Sequence, residues 1–181
     1  THLPLAAGGQ DVVFLDGGLQ MLAYPDGHAA LAAQVRRVLR PGGCLVLRAF
    51  VLPRQRETVA DVIAALRTGA VRTPDELRMR LWMAVQASPE QGVALRRVWE
   101  VLAAAEPDLD ALAERCAWDV ERVRVVEGYA HASERYHLTD VPTIAQVFRS
   151  YGFTLTETAV PGYPLGACCP TLVLERDGNI N

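Results

Sequence analysis

The apolar positions of the chain fall into recognisable periods. Val12-Val13-Phe14-Leu15 and Cys44-Leu45-Val46-Leu47 are short unbroken apolar runs, which predict strands buried on both faces. Between them, Leu31, Val35, Val38 and Leu39 share one side of a 3.6-residue repeat. That spacing predicts an amphipathic helix from Asp26, with Arg36, Arg37 and Arg40 near its carboxyl end, where cations suit the dipole. Asp16-Gly17-Gly18 turns the chain out of the first strand. Arg40-Pro41-Gly42-Gly43 stops the helix by denying it an N–H and supplying residues free to take positive φ. Strand, helix and strand make a parallel crossover, the unit of doubly wound α/β sheets. Ligands in such sheets sit beyond the carboxyl ends of the strands, so Asp16-Gly17-Gly18 is the first place to look for a site.

Residues 54–136 predict a helical block far longer than the ~10–15 residues that a crossover helix requires. Thr73-Pro74-Asp75-Glu76 and Ser88-Pro89-Glu90-Gln91 each combine an N-cap hydroxyl, proline at N1 and a Glu or Gln at N3, predicting two helix starts. The first helix carries Leu77, Leu81 and Val85 with Trp82, and the second Leu95, Val98 and Leu102 with Trp99. Residues 108–117 predict a third helix and 119–135 a further one. Asp140 caps a last helix through Ile144, Val147 and Phe148, which stops at Gly152. Phe153 to Glu157 alternates as a strand, and Thr171 to Glu175 follows as another, close enough to form an antiparallel pair.

Composition narrows the function classes. A chain of 181 residues is one domain's length, enough to bury roughly 70% of the unfolded surface. No apolar run approaches the ~18 residues of a membrane span, and the first residues lack the pattern of a signal peptide, so a cytoplasmic protein is expected. A net charge of −3 with interspersed signs gives no reason to expect nucleic acid or an anionic membrane as partner. All eighteen basic residues are arginine, which excludes lysine Schiff-base and lysine general-base chemistry. Cys44, Cys116, Cys168 and Cys169 lack metal-ligand spacing and read as thiols, with Cys168-Cys169 expected to be buried small residues. A small molecule is the expected partner, and no metal is expected.

Leu3-Pro4-Leu5, Asp11 to Gly17, Val38 to Leu47 around Arg40-Pro41-Gly42-Gly43, and Tyr151-Gly152-Phe153 before the strand pair resemble the class I S-adenosylmethionine-dependent methyltransferases. The resemblance covers the C-terminal half of that fold, from just before its fourth strand to its seventh. It implies a three-layer, Rossmann-like α/β sheet with a helical insertion or lid, residues 54–136, between the second and third visible strands of one partial domain spanning 1–181. It also implies methyl transfer from S-adenosylmethionine, leaving S-adenosylhomocysteine, to a small molecule. By position, Thr1, His2, Asp16, Gly17 and Gly18 are implied to contact the cofactor, and Gln20, Tyr24, Arg48, Phe50 and Tyr136 the acceptor. The family's glycine-rich loop and ribose-binding acid have no counterpart here, so the chain is expected to be a fragment of a longer protein. The alternative is a non-catalytic interaction or dimerisation module of the same fold, its strand edge covered by a second copy.

Individual residues carry further expectations. Asp16 is read as a turn residue with cofactor contacts, because no second oxygen ligand is spaced nearby. Asp26 is read as a helix cap and His28 as exposed. His137, at the junction after the helical block, is the candidate general base, its unperturbed pKa lying near neutrality. His2 and His131 have weaker claims. Trp82, Met79, Met83 and Trp99 read as core, with a pocket-lining role as the alternative.

Overall fold

The computed structural model describes residues 2–178. In chain order its elements are β1 (Gln10–Asp16), α1 (Asp26–Val38), β2 (Leu39–Arg48), α2 (Val59–Arg67), α3 (Pro74–Val85), β3 (Val93–Ala94), α4 (Leu95–Ala105), α5 (Leu109–Cys116), α6 (Val120–Arg124), β4 (Arg135–Tyr136), α7 (Val141–Arg149), β5 (Phe153–Ala159) and β6 (Thr171–Arg176). Short 3-10 turns lie at Leu19–Met21, Val125–His131 and Gly166–Cys168. Two compact units result, one from the residues up to Pro53 together with those from His137 onward, the other from Arg54–Tyr136.

The first is an α/β unit built on a mixed four-stranded sheet in the order β1-β2-β6-β5. β1 and β2 are parallel, while β6 runs antiparallel to both of its neighbours. The crossovers from β1 to β2 and from β2 to β5 both step across the sheet in the same direction. Because such connections are right-handed, their helices fall on one face. Leu31, Ala32 and Val35 of α1 and Ile144 and Phe148 of α7 accordingly share one core with Leu45, Leu47, Leu172, Leu174 and Phe153 of the strands. This unit therefore has two layers, not the three expected. The side chains of Val12 and Phe14 stand on its uncovered face, 41% and 76% exposed. The apolar run in β1 predicts a strand buried on both faces; it lies instead at the edge of the sheet, with alternate residues open.

The corner at Arg40-Pro41-Gly42-Gly43 also differs from expectation. α1 ends at Val38 and the chain is already extended at Leu39, so proline and the glycines lie within β2 and do not stop the helix. Gly42 takes φ +72°, and the register against β1 shifts between Gln10 and Val12. A Cβ on Gly43 would sit 2.8 Å from the Asp11 carbonyl oxygen, so glycine there permits the close approach of β1 to β2.

The second unit is helical, with one short antiparallel β3–β4 pair. Its best-defined starts are capped: Thr58 and Asp61 form a reciprocal capping box on α2, and the Glu76 amide donates to Thr73 Oγ1 at 3.0 Å on α3. The Ser88 signal produces only one turn. The Gln91 and Gly92 amides donate to Ser88 Oγ and O, Gly92 takes φ +60°, and the helix begins later, at Leu95. The helix expected over 119–135 is limited to α6 and the following 3-10 turn. All three tryptophans, Trp82, Trp99 and Trp118, belong to this unit, so their fluorescence reports on it. Thr73→Ala removes one cap and is expected to cost this unit about 1 kcal/mol, seen as a lower urea midpoint by tryptophan fluorescence. An unchanged midpoint would show that the cap contributes nothing.

Candidate functional site

The carboxyl ends of β1 and β2 bring together most of the expected site residues. At Asp16 the strand gives way to Gly17 and Gly18, at φ +70° and +86°. Two successive residues in this region are costly for any side chain with a Cβ, which is why glycine stands at both. The Gly17 amide donates to the Arg48 carbonyl at 3.0 Å and ties the turn to β2. Asp16 and Arg48, both largely exposed, form an ion pair. They border a hollow of about 290 Å³ on the uncovered face, lined also by Phe14, Val46 and Thr171. Phe50 is half-buried, and its ring lies 3.6 Å from where a Cβ on Gly17 would be.

A second cluster lies just beyond. The turn at Leu19–Met21 buries Gln20, and the first turn of α1 buries His28 to 1% exposure. His28 is thus not the exposed residue expected from its neighbours. Its imidazole hydrogen-bonds the carbonyls of Leu19 and Leu22, and the half-buried Tyr24 ring meets it edge-on at 5.4 Å. Burial, with a smaller contribution from nearby His137, lowers its pKa from 6.5 to about 4, although the two carbonyl contacts oppose the shift. The ring is neutral at pH 7. The His137 amide donates to the Gln20 carbonyl at 2.7 Å, and the segment continues to Thr139, which bridges in parallel with Val51 just after β2. His137 and Thr139 are both buried.

The remaining expected residues are scattered. Thr1 lies outside the described residues, and His2 is exposed. Tyr136 belongs to the helical unit, where β4 holds it and Trp82 meets its ring edge-on at 5.1 Å. Trp82, Met79 and Met83 lie on α3 of that unit, the two methionines buried. Cys168 and Cys169 are buried, and burial raises the Cys169 thiol pKa. Among the described residues, no group of three or more His, Cys, Asp or Glu is placed to hold a metal ion. No helix among them is long and apolar enough to cross a membrane.

Sequence reasoning missed Thr139 and misplaced His28. Thr139 carries no motif, since its burial depends on the bridge to Val51. A signal for His28 does exist: it lies one helical turn after Tyr24, close to a turn whose carbonyls need donors. No protein-family model matches the chain, and no curated protein matches it.

Proposed function

We propose that the protein transfers a methyl group from S-adenosylmethionine to a small molecule at the carboxyl ends of β1 and β2. The observation that carries this reading is the Asp16-Gly17-Gly18 turn, in which two left-handed glycines adjoin an exposed Asp16–Arg48 ion pair beside a hollow. A parallel crossover ahead of the turn's neighbour strand and an antiparallel β5–β6 pair after Tyr151-Gly152-Phe153 support it. The residues present fit the amino-acid end of the cofactor: the Asp16 carboxylate matches an α-ammonium, and two residues without Cβ leave room for close approach.

Asp16, Gly17 and Gly18 would hold that end, while Gln20, Tyr24, Arg48 and Phe50 would orient the acceptor. The cofactor, when bound, supplies an electrophilic methyl group for in-line displacement. The chain's own contribution is then proximity, orientation and exclusion of water, which need few strong acids or bases.

A second reading, a non-catalytic interaction or dimerisation module of the same fold, is favoured by one observation. Val12 and Phe14 are exposed on the uncovered face, and β1 has no strand partner on its outer edge among the described residues. Calorimetric titration with S-adenosylhomocysteine separates the two. The expected result is saturable binding that Gly17→Ala weakens about tenfold, because the left-handed conformation at φ +70° disfavours alanine by ~1–2 kcal/mol. No heat of binding at any concentration would overturn methyl transfer by this chain alone and favour the module.

A further inference from the structure

Four buried side-chain atoms of the sheet unit have no partner in the protein: Arg176 Nε on β6, and Gln20 Oε1, His28 Nε2 and Thr139 Oγ1 on adjoining segments. The last three residues are 6%, 1% and 2% exposed. Buried polar atoms without partners are uncommon, and each is destabilising, so three on adjoining segments call for a cause. The segments are held together by specific bonds. His28 reaches the carbonyls of Leu19 and Leu22 on either side of Gln20; the His137 amide donates to the Gln20 carbonyl; and the Leu52 amide donates to the Thr139 carbonyl at 3.0 Å. All lie where β1 and β2 end, the position at which parallel α/β sheets place their ligands.

The chemistry of the three atoms is one-sided. His28 bonds two carbonyls and its Nε2 has no partner, so Nδ1 carries the proton and Nε2 offers a lone pair. Gln20 Oε1 is also an acceptor, and the Thr139 hydroxyl adapts to either role. What completes such a set is a hydrogen-bond donor. His137 and Tyr24 lie against His28, and burial of the three residues disfavours a charged donor over an uncharged one.

We infer that Gln20, His28 and Thr139 form the recognition point for an uncharged hydrogen-bond donor, a hydroxyl or amine, on the molecule that receives the methyl group. The identity of that molecule as a methyl acceptor rests on the reading above; the donor chemistry does not. His28 acts here as a positioning residue, accepting a hydrogen bond through Nε2 while Nδ1 fixes the ring to the turn. No proton is transferred to it in this role.

The test is 15N NMR of the histidine-labelled full chain, titrated with phenol as the donor probe and toluene as its donor-free counterpart. Expected are a neutral His28 with Nδ1 protonated, a saturable shift of Nε2 with phenol and none with toluene. Thr139→Val, which removes the hydroxyl at nearly constant volume, should weaken the phenol response several-fold. His28→Leu, which removes the acceptor, should abolish it.

Equal responses to phenol and toluene, no response to either, or an Nε2 already hydrogen-bonded to trapped water before any probe is added would overturn the inference. Should His28→Leu fail to fold, the phenol and toluene comparison on the native chain and Thr139→Val still decide. Native chain that binds S-adenosylhomocysteine but ignores phenol loses this inference alone. Chain that answers phenol but not S-adenosylhomocysteine loses the methyl-transfer reading alone.

Discussion

Replacing Phe148 with alanine is expected to destabilise the sheet unit by about 3–5 kcal/mol. Phe148 is wholly buried on α7, and its ring meets that of Phe153 edge-on at 5.6 Å. Phe153 opens β5, so this pair seats the last helix on the outer strand of the covered face. Truncation removes the transfer free energy of a ring, forfeits an aromatic pair of ~0.5–1.5 kcal/mol and leaves a cavity among Ile144, Leu174 and their neighbours. Because every tryptophan lies in the other unit, the loss should be read from amide exchange in β2 and β6, whose protection should fall by two or more orders of magnitude. Unchanged protection would mean that α7 does not stabilise the sheet.

Acidification is expected to destabilise the same unit through His28, by on the order of 3 kcal/mol between pH 7 and pH 4. The free energy follows from a pKa of 6.5 in the unfolded chain and about 4 in the folded one. Above pH 6.5 both states leave the ring neutral, and the contribution is fully present. As pH falls from 6.5 toward 4 the unfolded chain takes up a proton that the folded chain refuses, so stability is progressively lost. The cause is burial first, with His137 adding to it and the Leu19 and Leu22 carbonyls opposing it. Urea unfolding of native chain and of His28→Leu, compared at pH 7.5 and pH 4.5, isolates this dependence, since the carboxylates titrate equally in both. Parallel pH profiles for the two proteins would refute it.

The sheet was legible where one short pattern determined the outcome. Leu31, Val35 and Val38 lie on the buried side of α1 as their spacing requires, and Asp140 caps α7 through the Thr143 amide at 2.8 Å. It was less legible where a residue's fate depended on distant chain. Val12-Val13-Phe14-Leu15 reads as buried on both sides, yet which faces receive helices depends on the direction of successive crossovers, and no local pattern encodes that. Thr73 and Ser88 carry the same start signal. Only the first continues as a helix, because Gly92 follows the second with a backbone that cannot propagate the turn. At the site, the Asp16-Gly17-Gly18 turn announces itself by composition. The burial of His28 does not, because it results from carbonyls at Leu19 and Leu22 and a segment that returns only at His137.

The position of β6 governs when the sheet can exist at all. The final strand is not added to an edge but sits between β2 and β5, bonded to both, so the pairing of Arg48 with Thr171 waits until residue 171 has been made. During synthesis the helical residues 54–136 are complete and contiguous well before that moment, whereas β1, α1 and β2 wait with their apolar faces unsealed. The four-stranded sheet thus cannot be completed before its interior strand β6 exists. A polypeptide that ends before residue 171 has no strand to place between β2 and β5.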